Sequence, residues 1–167
     1  NYHAGTFHHG IEAYKIADLL AENGSCAALW PDWWGFKMEA YDMVLENVAI
    51  VDAVKNSCAV VHSDSDTTIQ RLNHEASKIM HTANQNGFAL KEQDAIKWIT
   101  YNAAKSLGVE KETGSLSQGK QADVVIWDKN PFSVYAKAET VYVDGAKVYD
   151  RNDEKYQAVS DFMLGQR

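Results

Sequence analysis

The first half of the chain passes three times from a short apolar run, through a polar cluster, into an amphipathic segment, and this rhythm constrains the fold more than any other feature. The runs are residues 4–7, 26–30 and 58–61, each of strand length. After the first, residues 11–23 place Ala13, Ile16, Ala17 and Leu20 on one face at helical spacing, and Gly24 supplies a stop. After the second, Pro31-Asp32-Trp33-Trp34 leads into a helical stretch from about residue 39 to 54. The third precedes a helix over residues 67–82 with the stripe Ile69, Leu72, Ala76, Ile79 and Ala83. Three successive strand–helix units imply parallel strands joined by crossover helices, which is α/β architecture.

Beyond Gly87 the pattern changes. Residues 91–107 read as a helix with Ala95, Ile99, Ala103 and Leu107 on one side, ended by Gly108. Short strands are expected at residues 122–128, 140–143 and 146–149, the last two joined by a two-residue turn at Asp144-Gly145, where both residues tolerate positive φ. The tail after Asp150 is polar except for Phe162, Met163 and Leu164, and a short helix or peripheral segment is expected there.

Composition narrows the partners. With 167 residues, 46% of them hydrophobic, and only 2 Pro and 10 Gly, the chain can bury a core. A formal net charge of -7 with no dense Lys/Arg cluster argues against a nucleic-acid surface. No apolar run approaches the ~20 residues needed to span a bilayer, so no membrane partner is expected. Cys26 and Cys58 lie in apolar runs without a C-x-x-C pattern and are expected to be free buried thiols. There is no Met start or signal peptide, and the compartment stays open.

Chemistry concentrates where strands end. The stretch C-A-V-V-H-S-D-S-D (residues 58–66) delivers a carboxylate at the exit of a buried strand, and residues 4–7 end in His8 and His9. Imidazole at one strand end and carboxylate at another suggest a metal site split between neighbouring strands. Each residue also has a plainer reading: Asp64 precedes a helix and could cap it, and His9 could be a satisfied buried histidine. By strand alternation His8 should face away from His9, which favours a structural role for it. His62 shares parity with Asp64 and is either a support for the site or a core residue. Trp33 and Trp34, with Trp30, either line a substrate mouth or pack over a rim.

Three segments carry a resemblance. T-Y-N-A-A-K-S-L-G (residues 100–108), G-S-L-S-Q-G-K-Q-A-D-V-V-I-W-D (114–128) and V-Y-V-D-G-A-K-V-Y-D (141–150) together resemble the C-terminal end of the metal-dependent amidohydrolase superfamily, in its imidazolonepropionase and prolidase-like branch. Ala103 stands where the family commonly has Pro. Upstream, F-H-H-G-I-E-A-Y-K-I-A-D (7–18) is similar to the end of barrel strand six, A-L-W-P-D-W-W-G-F-K (28–37) to the strand-seven loop, H-S-D-S (62–65) to the end of strand eight, and R-L-N-H-E-A (71–76) to the helix after it.

The resemblance implies the C-terminal portion of a (β/α)8 TIM-type barrel, strands six to eight with their helices, over residues 1–112. Strands of a small composite β-domain would follow over 113–150, with Lys120 and Asp123 serving turns and salt links there, and a tail over 151–167. It makes His9 a metal ligand and Asp64 both a metal ligand and the catalytic proton acceptor, with Asp66, Ser65 or Thr67 left to cap the helix. A divalent metal, zinc, is implied, with one or two ions in the complete enzyme. The family's other ligands, a His-x-His pair from strand one, a Lys or acidic residue from strand four and a His from strand five, have no counterpart among His3, His8, His9, His62, His74 and His81. The chain is therefore expected to be part of an enzyme, inactive until the missing N-terminal portion packs against the open edge of strand six. A small-molecule substrate follows, and a homo-oligomer is compatible with this reading. Two functions remain open: hydrolysis of a C–N bond in an amide, cyclic amide or dipeptide, or a non-catalytic module that only associates with another chain.

Overall fold

A computed structural model describes residues 5–157. Three parallel strands, β1 (Thr6–His8), β2 (Cys26–Leu29) and β3 (Ala59–Val61), form one sheet in the order β1-β2-β3. The helices that connect and flank them are α1 (Ala17–Glu22), α2 (Asn47–Asp52), α3 (Leu72–Gln85), α4 (Glu92–Trp98) and α5 (Tyr101–Leu107). Every residue of β2 and β3 is buried, which is why these strands read as unbroken apolar runs instead of alternating ones. One face of the sheet, Ala27, Leu29, Ala59 and Val61, enters the main core with Leu20, Val51, Ile79 and Trp98. The other face, Cys26, Ala28, Cys58 and Val60, packs against Ala103 of α5. Asn102 Nδ2 donates to the Ala59 carbonyl (2.8 Å) and Thr6 Oγ1 to the Ser106 carbonyl (2.9 Å), so α5 is tied to both ends of the sheet.

The helices differ from the sequence reading in length. Residues 11–23 split into a 3-10 turn (Ala13–Lys15) and α1, and the change of phase at the junction leaves Ile16 exposed while Ala13, Ala17 and Leu20 stay buried. Only a 3-10 turn (Met38–Ala40) and the short α2 form in the stretch expected from residue 39 to 54. A 3-10 turn at Ile69–Arg71 precedes α3, again exposing the first residue of the stripe, Ile69. The helix expected over 91–107 is broken at Ile99 and Thr100, where the Thr100 hydroxyl donates to the Ile96 carbonyl (2.7 Å) and Leu107 emerges to solvent. Gly108, at φ 76°, closes α5 in the left-handed conformation.

A second sheet, β4 (Val124–Trp127), β5 (Ala138–Val143) and β6 (Ala146–Asp150), is antiparallel throughout. Asp144 and Gly145 form its hairpin turn with φ of 50° and 77°, as the sequence requires. Lys120 Nζ donates to the Glu110 and Thr113 carbonyls and to Ser115 Oγ. Asp123 accepts from Thr113 Oγ1 and from the Asp144 backbone, so both residues bind the loops leading into this sheet. After Asp150 only a 3-10 turn, Glu154–Tyr156, is described; Phe162, Met163 and Leu164, like His3 and Ala4, lie outside the described residues.

The cysteine expectation is overturned. Cys26 and Cys58 form a disulfide with Cα atoms 4.5 Å apart, because the register Ala27↔Ala59 sets the preceding residues side by side on adjacent parallel strands. Sequence spacing alone does not reveal that adjacency. With the partners 32 positions apart in sequence, replacing both by Ser is expected to lower stability by about 3 to 4 kcal/mol through the freed unfolded chain. Urea unfolding of the oxidised protein against the double variant checks this; equal midpoints would mean that the crosslink contributes nothing.

Candidate functional site

The carboxyl ends of the three parallel strands carry the polar side chains. Pairing of His8 with Ala28, and of Ala28 with Val60, puts His8 on the same sheet face as Val60 and, two residues on, His62. The strand stops at His8, and His9 takes φ 56°. That left-handed turn cancels the alternation expected from sequence: the His8 and His9 rings meet edge-on with centroids 4.0 Å apart instead of facing apart. His8, His9 and His62 each offer a ring nitrogen within 4.8 Å of the others. Asp64, also left-handed at φ 50°, turns its Oδ2 to within 3.2 Å of His9 Nε2. Asp64 is not a helix cap. Ser63 and Ser65 instead bond locally, with Ser65 Oγ accepting from the Thr67 backbone (3.3 Å).

Around these groups stands an aromatic wall. Trp30 is 1% exposed, its ring 4.4 Å from that of His9 and stacked at 5.5 Å on that of His62. Trp33 stacks on Trp30 at 6.1 Å, whereas Trp34 is 61% exposed and stands apart from the cluster. The loop carrying these residues is anchored by the fully buried Asn47, whose Nδ2 donates to the Trp30 carbonyl (3.1 Å) while its Oδ1 accepts from the Val48 backbone.

Two residues of that loop were not singled out by the sequence. Glu39 Oε1 lies 3.2 Å from His9 Nδ1, so carboxylates flank both ring nitrogens of His9. Lys37 Nζ is 2.5 Å from the same Glu39 oxygen and 4.9 Å over the Trp30 ring. The Lys37 ammonium, and then His9, hold the Glu39 carboxyl below the usual carboxylate range. Only the acid–base spacing within G-F-K-M-E hints at this pair in the sequence, and that motif is common on solvated loops.

His62 is the electrostatic outlier. Burial first, then His8 and His9, push its pKa from 6.5 down to about 4, and neither ring nitrogen has a hydrogen-bond partner among the described residues. The unfolded chain therefore takes up this proton more readily than the folded one, and stability present above pH 6.5 is lost as pH falls toward about 4. Nuclear magnetic resonance titration of metal-free protein is expected to show a His62 midpoint near 4; a midpoint at 6.5 would mean that the ring is solvated.

A compact set of imidazoles and a carboxylate at the carboxyl ends of parallel strands defines an α/β protein with a polar site in the place where such folds put their chemistry. The sequence model of the amidohydrolase family matches residues 43–152, and the chain belongs to that family. It is 32% identical over 109 residues to an imidazolonepropionase of Shewanella baltica, an alignment covering 65% of this chain and 25% of that protein. Over 148 residues it is 25% identical to the amidohydrolase tasK of Hapsidospora irregularis, covering 86% and 14%. Among solved structures, an amidohydrolase from Thermotoga maritima superposes with a TM-score of 0.73 at 34% identity, covering 87% of this chain and 37% of that one. A zinc-bound adenosine deaminase from Xanthomonas campestris shares the fold at a TM-score of 0.67 and 19% identity, covering 94% and 39%. The chain thus spans about a quarter of the length of the imidazolonepropionases it matches.

Proposed function

We propose that this chain forms the strand-six to strand-eight side of a (β/α)8 barrel in a metal-dependent hydrolase of C–N bonds, acting on an amide, cyclic amide or dipeptide. Residues 1–112 would be its share of the barrel, 113–150 its strands of a small composite β-domain, and 151–167 a tail. Membership of the amidohydrolase family and the imidazolonepropionase relatives support the reaction class. The observation that carries the reading is the meeting of His9 Nε2 and Asp64 Oδ2 at 3.2 Å from two different strand ends.

The donor set fits a divalent ion. Imidazole nitrogen and carboxylate oxygen suit zinc, and a ring nitrogen of His62, without a hydrogen-bond partner among the described residues, is one that a cation would satisfy. His9 and Asp64 would hold the ion, with His62 or His8 near enough to add a third ligand. When bound, the ion supplies Lewis acidity to the scissile carbonyl and brings the pKa of water toward ~7. Neutral imidazoles leave that charge uncancelled. The Asp64 carboxylate accepts a proton from the attacking water and returns it to the departing nitrogen. Trp30 packs edge-on against the His9 ring and Trp33 stacks on Trp30, so an aromatic wall stands beside the imidazole, while Asp64 stays open to an incoming water. The remaining ligands and much of the pocket would come from the rest of the same protein, packed along the outer edge of β1, which pairs only with β2 among the described residues.

Zinc titration by calorimetry tests this reading. Saturable binding is expected for the unmodified chain, and weaker binding for both His9→Ala and Asp64→Asn. Equal zinc affinity in all three proteins would overturn the proposed site.

A further inference from the structure

His9 differs from its neighbours in how its ring is held. Because it lies past the end of β1 in a left-handed conformation, the sheet does not fix its orientation. Side-chain contacts do so instead: the ring packs edge-on against Trp30 and His8, Asp64 Oδ2 lies 3.2 Å from Nε2, and Glu39 Oε1 makes the hydrogen bond at Nδ1, 3.2 Å away. His62 has no comparable acceptor on either nitrogen among the described residues. Glu39 is itself fixed, since Lys37 bridges to it at 2.5 Å while lying over the ring of Trp30. The loop between β2 and α2 therefore folds back as a clamp, its ammonium on the aromatic wall and its carboxylate on the far side of the imidazole.

We infer that Glu39 is a positioning residue, whose carboxylate accepts the Nδ1 proton of His9 and so directs Nε2 toward the point shared by Asp64, His8 and His62. An imidazole that donates from one nitrogen is locked in the tautomer that leaves the other nitrogen's lone pair free for a cation, and the hydrogen bond raises its donor strength. Lys37 acts through Glu39, by limiting the rotation of its carboxylate. The inference rests on the metal-site reading for its functional meaning, and the two can fail separately.

The test uses the 167-residue chain with Glu39→Ala and Glu39→Gln, zinc as probe, and two readouts: zinc affinity by calorimetry and the His9 Nδ1 proton in nitrogen-15 spectra of metal-free protein. Gln keeps an acceptor oxygen at the same reach, so it separates hydrogen bonding from loop packing. The expected result is a protected Nδ1 proton in the unmodified and Gln proteins, lost in the Ala variant, with zinc affinity reduced ~10- to 100-fold in Ala and largely retained in Gln. An Ala variant with zinc affinity unchanged, whether or not the Nδ1 signal persists, overturns the positioning role while leaving the metal site standing. Gln behaving like Ala overturns it too, since the effect would then come from loop charge or packing. Should no protein bind zinc while the Nδ1 signal still depends on an acceptor at 39, the hold on His9 stands and the metal reading falls.

Discussion

Asp64→Asn is expected to reduce C–N bond hydrolysis by roughly 10²- to 10⁴-fold in a polypeptide that joins this chain to the rest of the barrel. The amide keeps the volume and most of the shape of the carboxylate, so the strand end it occupies should be preserved. What it loses is the capacity to take a proton and the negative charge that faces His9 Nε2 at 3.2 Å. In the proposed mechanism both losses act on the reacting centre, through the proton path and through the hold on a cation. Steady-state rates with imidazolone, N-acyl amino acid and dipeptide substrates, beside circular dichroism to establish folding, make the measurement. Activity close to that of the unmodified enzyme would remove Asp64 from the chemistry.

The second large effect concerns stability. Gly114 opens the loop that leads into the second sheet, with φ 82°, and a Cβ added there would lie 2.6 Å from Ala104 Cβ, 3.2 Å from the Thr100 carbonyl oxygen and 3.2 Å from Tyr101 Cα. Helix α5 cannot recoil from this without disturbing its bonds to Ala59 and Thr6 in the parallel sheet. Left-handed strain and overpacking each cost about 1 to 3 kcal/mol, so Gly114→Ala should destabilise by about 3 to 5 kcal/mol. Gly119 is the control: its φ is 89°, but its added Cβ meets nothing within 4 Å. Gly119→Ala should therefore cost only the backbone strain, about 1 to 3 kcal/mol, without the overpacking. Urea midpoints of the two variants compare them, and equal losses would show that the contact with α5 is unimportant.

The parallel strands were legible because strands buried on both faces become continuous apolar runs, and the Asp144-Gly145 hairpin because its residue types match a backbone requirement. Helix ends were less so. Breaks at Ile16 and Thr100 depend on how each segment must turn to meet the sheet, and residue periodicity carries no trace of them. The places of His9 and Asp64 just past strand ends could be read from the sequence, yet the conformation that brings them within 3.2 Å of each other could not. The pairing of Cys26 with Cys58 is a property of strand register, and that of Glu39 with His9 a property of loop path. In both, the partners are some thirty residues apart, and nothing local connects them.

The left-handed backbone at His9 and Asp64 limits what the site can become. Of the described non-glycine residues only these two, Asn56 and Asp144 hold positive φ, and the side chains that tolerate it best, Asn, Asp and His, overlap with the oxygen and nitrogen donors. Replacing either residue by Cys or Glu would add a backbone penalty of ~1 to 2 kcal/mol per position, on top of any effect on the ion binding proposed above. The choice of side chain is thus narrow at these two strand tips, whereas a non-glycine position at negative φ in the surrounding loops carries no such conformational toll.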